Sequence, residues 1–296
     1  MDKDIKKEKT ENLTNEGENK KTPGKNGVSV TLHKKDPIEK IAPKVSVQII
    51  TKNRAKLLPL AIESALSQTY KNLEIIIVDN NSTDKTEEMV KRYISIDARI
   101  KYFRIVENLG ITKTRNFALS KSTGSYIAVL DSDDFWLTED KLEKQVDFLL
   151  KNPDYAAVGT NTIIVDEKNQ KIDEIVNQTE WQKIQEMFLI KNQITHSSVL
   201  IKKDYLMMIG SYDEKYMIWE DYAIFLKLGR EYKIANLPEF LTAYKKHDQN
   251  VSNFNKIKNL GVLAQIIFDN RKFYPKFLMA MFLVLLRAVA ALFNKY

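Results

Sequence analysis

The 296-residue chain contains no cysteine, which excludes disulfides and thiolate metal sites and suits a reducing compartment. Neither G-x-G-x-x-G nor G-x-x-x-x-G-K-[ST] occurs in it. Without a dinucleotide fingerprint or a P-loop, any bound phosphate has to be met by side chains and a cation. Zinc-finger spacing and RNA-binding signatures are also missing, so the net charge of +7 is read as suiting anionic lipid or phosphate-bearing substrates, with no nucleic acid as partner. No apolar core of roughly 7–15 residues lies near Met1, and no secretory signal is expected. Carboxylates stop at Asp269, leaving the last stretch purely cationic.

What is present is a strong internal order. Residues 1–43 are rich in Lys, Glu, Asn and Thr and bury too little to offset their ordering entropy, so they are expected to be disordered. From Val45 onward, apolar runs alternate with helical patterns. Val45–Ile50, Leu73–Val78, Ile100–Arg104 and Tyr126–Leu130 read as strands. Between them, Leu57 to Leu66, the segment after Asp84, and the segment around Arg115–Leu119 read as helices, with Asp84 and Glu87 spaced as a capping pair. This alternation predicts an α/β fold with a mostly parallel, Rossmann-like central sheet flanked by helices. Loops after the strands then meet at one sheet edge, where open α/β sheets bind ligands.

The most informative stretch is Tyr126–Trp136, Y-I-A-V-L-D-S-D-D-F-W, an apolar run ending in Asp131, Asp133 and Asp134. Carboxylates two residues apart at a strand end converge on one hard cation, Mg²⁺ or Mn²⁺, which also takes substrate phosphates. Taken alone, the stretch is equally readable as a solvated acidic turn. A calcium loop is excluded because Trp136 and Leu142 stand where Gly and Glu are needed. A D-x-D-x-T phosphatase pattern is excluded by Phe135.

Several segments together resemble the family-2 glycosyltransferases. They are Val45–Asn53, Ser64–Tyr70, Glu74–Asp84, Asn108–Asn116, Gly124–Trp136 and Trp219–Asp221, in the right order across roughly Val45–Asn250. The helix Leu142–Phe148 resembles members that build bacterial surface polysaccharides. The resemblance implies a GT-A fold and an inverting transfer from a nucleotide-sugar donor, a UDP-sugar being favoured, to a glycan or lipid-linked acceptor. It implies that Asp79 hydrogen-bonds the uracil and that Thr51 and Arg54 line the nucleotide pocket. Arg115 is placed near base or phosphates, Asp131 faces the ribose, and Asp133 ligates Mn²⁺ or Mg²⁺. Asp221 becomes the general base, with Glu220 beside it on the acceptor side. His196 is placed near the acceptor cleft, and His247 near the diphosphate as a further metal ligand. A nucleotidyltransferase, which shares sheet and metal, and a degenerate sugar-nucleotide binder are the alternatives.

The second half is less regular. Tyr155–Val165 reads as one or two strands, Trp181–Ile190 as a helix, Thr195–Ile201 as a polar loop entering a strand, and Gly210–Asp213 as a turn. Residues 44–250 are thus expected to form the catalytic domain and 251–296 a helical extension. Its Phe277–Phe293 stretch is apolar apart from Arg287 and is flanked by Arg271, Lys272, Lys276 and Lys295. A span takes about 20 apolar residues. A helix lying in the interface of an anionic membrane is therefore expected, placing the protein peripherally on the cytoplasmic face.

Overall fold

The computed structural model describes residues 42–248 and 256–293. The segment expected to be disordered lies outside these up to residue 41. Nine strands, β1 (Val45–Thr51), β2 (Leu73–Asn80), β3 (Ile100–Ile105), β4 (Tyr126–Val129), β5 (Phe135–Trp136), β6 (Tyr155–Val165), β7 (Lys171–Ile175), β8 (Leu200–Lys202) and β9 (Lys233–Lys245), form one sheet among the described residues. The spatial order is β3-β2-β1-β4-β8-β6-β9-β5, with β7 on β6. The helices are α1 (Leu58–Leu66), α2 (Thr86–Ile96), α3 (Ile111–Lys121), α4 (Lys141–Lys151), α5 (Trp181–Met187), α6 (Lys203–Met208), α7 (Glu220–Glu231), α8 (Lys256–Asn270) and α9 (Phe277–Phe293).

The expected α/β architecture is the one observed. β1 pairs in parallel with β2 and β4, and β2 with β3. Every residue of β2 is buried, as a strand covered by helices on both faces must be. Register sets Thr51 beside Asp79, and Asp131 follows β4 at the same edge. Short β8 joins this half to the rest by antiparallel pairing with β4 and β6, and β6 runs parallel to β9. One apolar core lies under α1 and α4, with Ile49, Leu58, Ile62, Ile77 and Leu142. The other gathers Ile127, Val129, Phe188, Phe225 and Ile266 around α7 and α8.

Polar contacts hold the ends of the sheet. Glu74 on β2 is buried, accepting from Ser46 Oγ at 2.6 Å, Thr123 N at 2.6 Å and Lys101 Nζ at 2.7 Å. Although burial opposes it, these donors hold its carboxyl well below the usual range. At the other edge the loops after β1 and β2 are stitched together. Asn53 N donates to Ser82 Oγ at 2.8 Å, Thr83 N to Asn53 Oδ1 at 2.7 Å, and Ala55 N to Asp84 Oδ2 at 3.1 Å. Asn53 and Asn81 take left-handed backbone, which Asn tolerates better than most residues.

Two local expectations differ. Asp84 and Glu87 form no capping box at α2: Asp84 bonds Thr86 and Ala55, and Glu87 pairs with Lys91 and Arg104. The loop stitch competes for the carboxylate, and nearby cations take its partner. The helix beginning at Trp181 ends at Met187, with a turn through Ile190.

No helix among the described residues is long and apolar enough to cross a membrane. α9 buries Ala280 and Val284 against the domain while Leu278, Phe282, Leu285 and Phe293 are exposed, Leu278 by 80%.

Candidate active site

The strand-end loops frame a crevice of about 600 Å³. Thr51, Arg54, Asn80, Arg115, Asp131, Asp133, Glu220 and Asp221 line it, together with the Asn108–Ile111 loop and Trp219. Asn80 shapes that loop, its amide donating to Asn108 Oδ1 at 2.8 Å and its carbonyl accepting from Leu109 N at 2.9 Å. Thr51 is buried at the crevice wall, and its hydroxyl has no hydrogen-bond partner among the described residues. A buried hydroxyl left without a partner costs about 1–3 kcal/mol, so Thr51 is suited to receive a ligand atom.

Asp79 is placed differently from expectation. It is fully buried and does not line the crevice. Its Oδ1 accepts from Ser82 N at 2.7 Å and its Oδ2 from the Tyr102 hydroxyl at 2.7 Å. The carboxylate therefore caps the loop after β2, leaving its remaining lone pairs for any further donor.

Arg115 reaches across α3 to two acids rather than outward. Its Nη2 lies 3.0 Å from Asp131 Oδ1 and its Nε 3.0 Å from Glu220 Oε1. Burial opposes the guanidinium charge, but these carboxylates keep it ionised. Burial also works against the Asp131 charge, and Arg115 outweighs it, holding that carboxyl below its ordinary value. One cation thus ties the end of β4 to the start of α7.

At that start Trp219 is left-handed, with φ 59°, a conformation costing about 1–2 kcal/mol in a non-glycine residue. Its indole N–H donates to the Asn259 carbonyl of α8 at 3.1 Å. The bend delivers Glu220 and Asp221 to the crevice in the first turn of α7. Asn192 Nδ2 approaches Asp221 Oδ2 at 3.3 Å. Burial first, then the neighbouring Glu220 charge, push the Asp221 carboxyl up to about 7. Such a group accepts a proton efficiently near neutral pH.

Asp133 Oδ2 and His247 Nε2 share a hydrogen bond of 2.9 Å, with Arg54 Nη2 3.7 Å from the same oxygen. Among the described residues no cluster of three or more His, Cys, Asp or Glu gathers as a cage. One carboxylate oxygen and one imidazole nitrogen fit a divalent cation that completes its shell with phosphate and water. Asp134 faces away from this pair, accepting from Lys245 N at 2.9 Å and from the Ser197 hydroxyl. It clamps the end of β9, which precedes His247, to the acidic loop. Burial and the adjacent Asp133 and Asp131 raise its carboxyl well above the usual value.

A second cavity, about 540 Å³, adjoins the first. The two share Asp131, His196, Trp219, Asp221 and Tyr244, so Asp221 stands where they meet. His196 is buried there with Nε2 2.9 Å from Tyr212 Oη and Nδ1 without a partner among the described residues. Burial and then Arg115 lower its pKa to about 3, so the ring is neutral. The structure thus brings together Thr51, Arg54, Arg115, Asp131, Asp133, His196, Glu220, Asp221 and His247, and leaves Asp79 beneath. Asn192, Ser197 and Asn80 were not singled out as site residues. Asn80 stood in a visible polar loop, whereas Asn192 and Ser197 carry no periodic or spacing signal.

The model of Glycosyl transferase family 2 matches residues 46–211. An uncharacterized glycosyltransferase of Methanocaldococcus jannaschii is 33% identical over 222 residues, covering 73% of this chain and 76% of its own. A UDP-Glc:alpha-D-GlcNAc-diphosphoundecaprenol beta-1,3-glucosyltransferase of Escherichia coli is 34% identical over 217 residues, covering 73% and 82%. Among solved structures, a Pyrobaculum calidifontis mannosyltransferase in complex with GDP-Man and Mn²⁺ superimposes with TM-score 0.64 at 19% identity, covering 88% of this chain and 78% of its own. At that identity the likeness speaks for the GT-A fold. The family match spans the strands and loops that build the crevice, and on it the chain belongs to glycosyltransferase family 2.

Proposed function

We propose that this enzyme moves a sugar, with inversion, from a UDP-sugar to a glycan or lipid-linked acceptor in bacterial surface polysaccharide synthesis, at the cytoplasmic face of the membrane. The observation that carries the reading is Asp221, poised by its surroundings and standing where the two cavities meet. The nucleotide lies in the crevice, with the unpartnered Thr51 hydroxyl and Arg54 as its contacts. Asp131, oriented by Arg115, faces the ribose. Asp79 supports the nucleoside end from below, holding the loop after β2 through Ser82 and β3 through Tyr102.

The acceptor enters from the second cavity. Its hydroxyl donates its proton to Asp221 Oδ as oxygen bonds to the anomeric carbon. The bond from that carbon to the diphosphate breaks on the opposite face, and the nucleoside diphosphate leaves with the electron pair. Glu220, fixed by Arg115, stands beside Asp221 on the acceptor side. Neutral His196 borders the acceptor hydroxyl without competing for the proton. Asp133 and His247 would hold Mn²⁺ or Mg²⁺, which when bound supplies positive charge to the leaving diphosphate.

The donor UDP-Glc named for the Escherichia coli relative supports uridine, and GDP-Man in the Pyrobaculum calidifontis complex makes guanosine the comparison to run. The test is nucleotide release from UDP-, GDP- and dTDP-sugars with Mn²⁺, Mg²⁺ or chelator. Metal-dependent release from one UDP-sugar, lost in Asp133→Ala, is expected. Release from a GDP-sugar alone overturns the uridine assignment.

A further inference from the structure

The cavity on the far side of Asp221 has walls that the transfer chemistry itself does not require. They are Leu189 and Ile190 after α5, Leu263 and Ile267 on α8, and Ala280 and Val284 on α9. Its volume of about 540 Å³ falls within the roughly 300–1,000 Å³ of small-molecule sites. Asp131, Asn192, His196, Ser197 and Asp221 line the same cavity and can partner a sugar's hydroxyls, but the six apolar side chains cannot, and a glycan hydroxyl buried against them is costly. A hydrocarbon chain meets no such penalty. Lys191 and Arg287 also line the cavity. Both are exposed, and among the described residues neither has a carboxylate partner. α9 turns Ala280 and Val284 inward while Leu278, Phe282 and Leu285 face outward, so the cavity wall and the exposed apolar face belong to one helix.

We propose that this cavity is a subsite for the hydrocarbon chain of a lipid-phosphate acceptor. The chain lies against Leu263, Ile267 and Val284. Its phosphate is met by Arg287 and Lys191, and the sugar it carries presents a hydroxyl to Asp221. The assignment rests on the transfer reaction proposed above and narrows its acceptor to one chemical class.

The experiment is calorimetric titration of the full chain with dodecyl phosphate, below its micelle concentration, beside inorganic phosphate and dodecanol. Dodecyl phosphate is expected to bind, and inorganic phosphate alone to bind at least about tenfold more weakly. Filling the cavity with Val284→Phe, or with Ile267→Phe should that variant fold poorly, is expected to weaken dodecyl phosphate about tenfold or more. Arg287→Gln is expected to weaken it about tenfold and to leave dodecanol unchanged. UDP binding measured in every variant reports a folded chain with its donor crevice intact. Affinity untouched by both cavity-filling changes places the chain on the outer face of α9 and overturns the proposal. UDP binding without dodecyl phosphate binding overturns the subsite alone, whereas an unmodified chain that binds dodecyl phosphate but not UDP overturns the uridine donor and leaves the subsite standing.

Discussion

Asp221 concentrates the chemistry, and its environment makes opposite demands on activity and stability. With its carboxyl raised to about 7, transfer is expected to rise with pH through about 7 as the base form fills, which a pH–rate profile checks. The folded state holds this proton more tightly than the unfolded chain, so ionisation costs stability as pH climbs from about 4 to about 7. Asp221→Asn removes that cost. It is expected to be about 1–2 kcal/mol more stable than wild type at pH 8, after allowing for solvent in the cavity, with the gap closing towards pH 4. Urea titrations at the two pH values measure it. Arg115 has the reverse signature. Arg115→Met leaves buried Glu220 and half-buried Asp131 without their guanidinium partner and is expected to cost about 3–5 kcal/mol in the same assay. Neither residue's partners were legible in the sequence. Asp221 and Arg115 stood in recognisable motifs, but a 105-residue separation hides the Arg115–Glu220 contact, and nothing in the sequence shows that Ser82 and Tyr102 take the oxygens of Asp79.

The elements themselves divide by how their apolar residues are arranged. β1 to β4 were legible because strands buried on both faces are continuous apolar runs, and α1 to α3 because their apolar residues recur with helical period. β5, β7 and β8 are two to five residues long and exist through their neighbours, chiefly β6 and β9. β9 escaped notice because Asn236, Pro238 and Glu239 interrupt its pattern where its register with β6 shifts. At the far sheet end Glu74 joins β1, β2 and β3 through Ser46, Lys44 and Lys101. Glu74→Leu strands these donors and the Thr123 N–H, and is expected to cost about 2–4 kcal/mol. Because the folded carboxyl is held low, that loss is greatest above about pH 4 and shrinks as pH falls below it. Donor affinity of the folded fraction is expected to stay unchanged, since Glu74 lies at the opposite sheet edge.

For the whole molecule, the proposed seat on the membrane and the proposed chemistry meet in α8 and α9, whose inner faces line the second cavity and whose outer face is apolar. Arg271, Lys272 and Lys276 precede the exposed Leu278, Phe282 and Leu285. Co-sedimentation with anionic vesicles is expected, weakening as salt rises and lost in the double variant Phe282→Glu, Leu285→Glu. Equal binding to neutral vesicles at every salt concentration would remove the electrostatic part of this reading. At the meeting point of the two cavities Asp221 is to take the acceptor proton without holding the nucleotide. The most direct measurement compares wild type with Asp221→Asn for UDP-sugar turnover and, on the same preparations, for UDP affinity. Turnover is expected to fall about 10²–10⁴-fold while UDP affinity stays within about twofold. Turnover of Asp221→Asn at the wild-type rate would contradict the account.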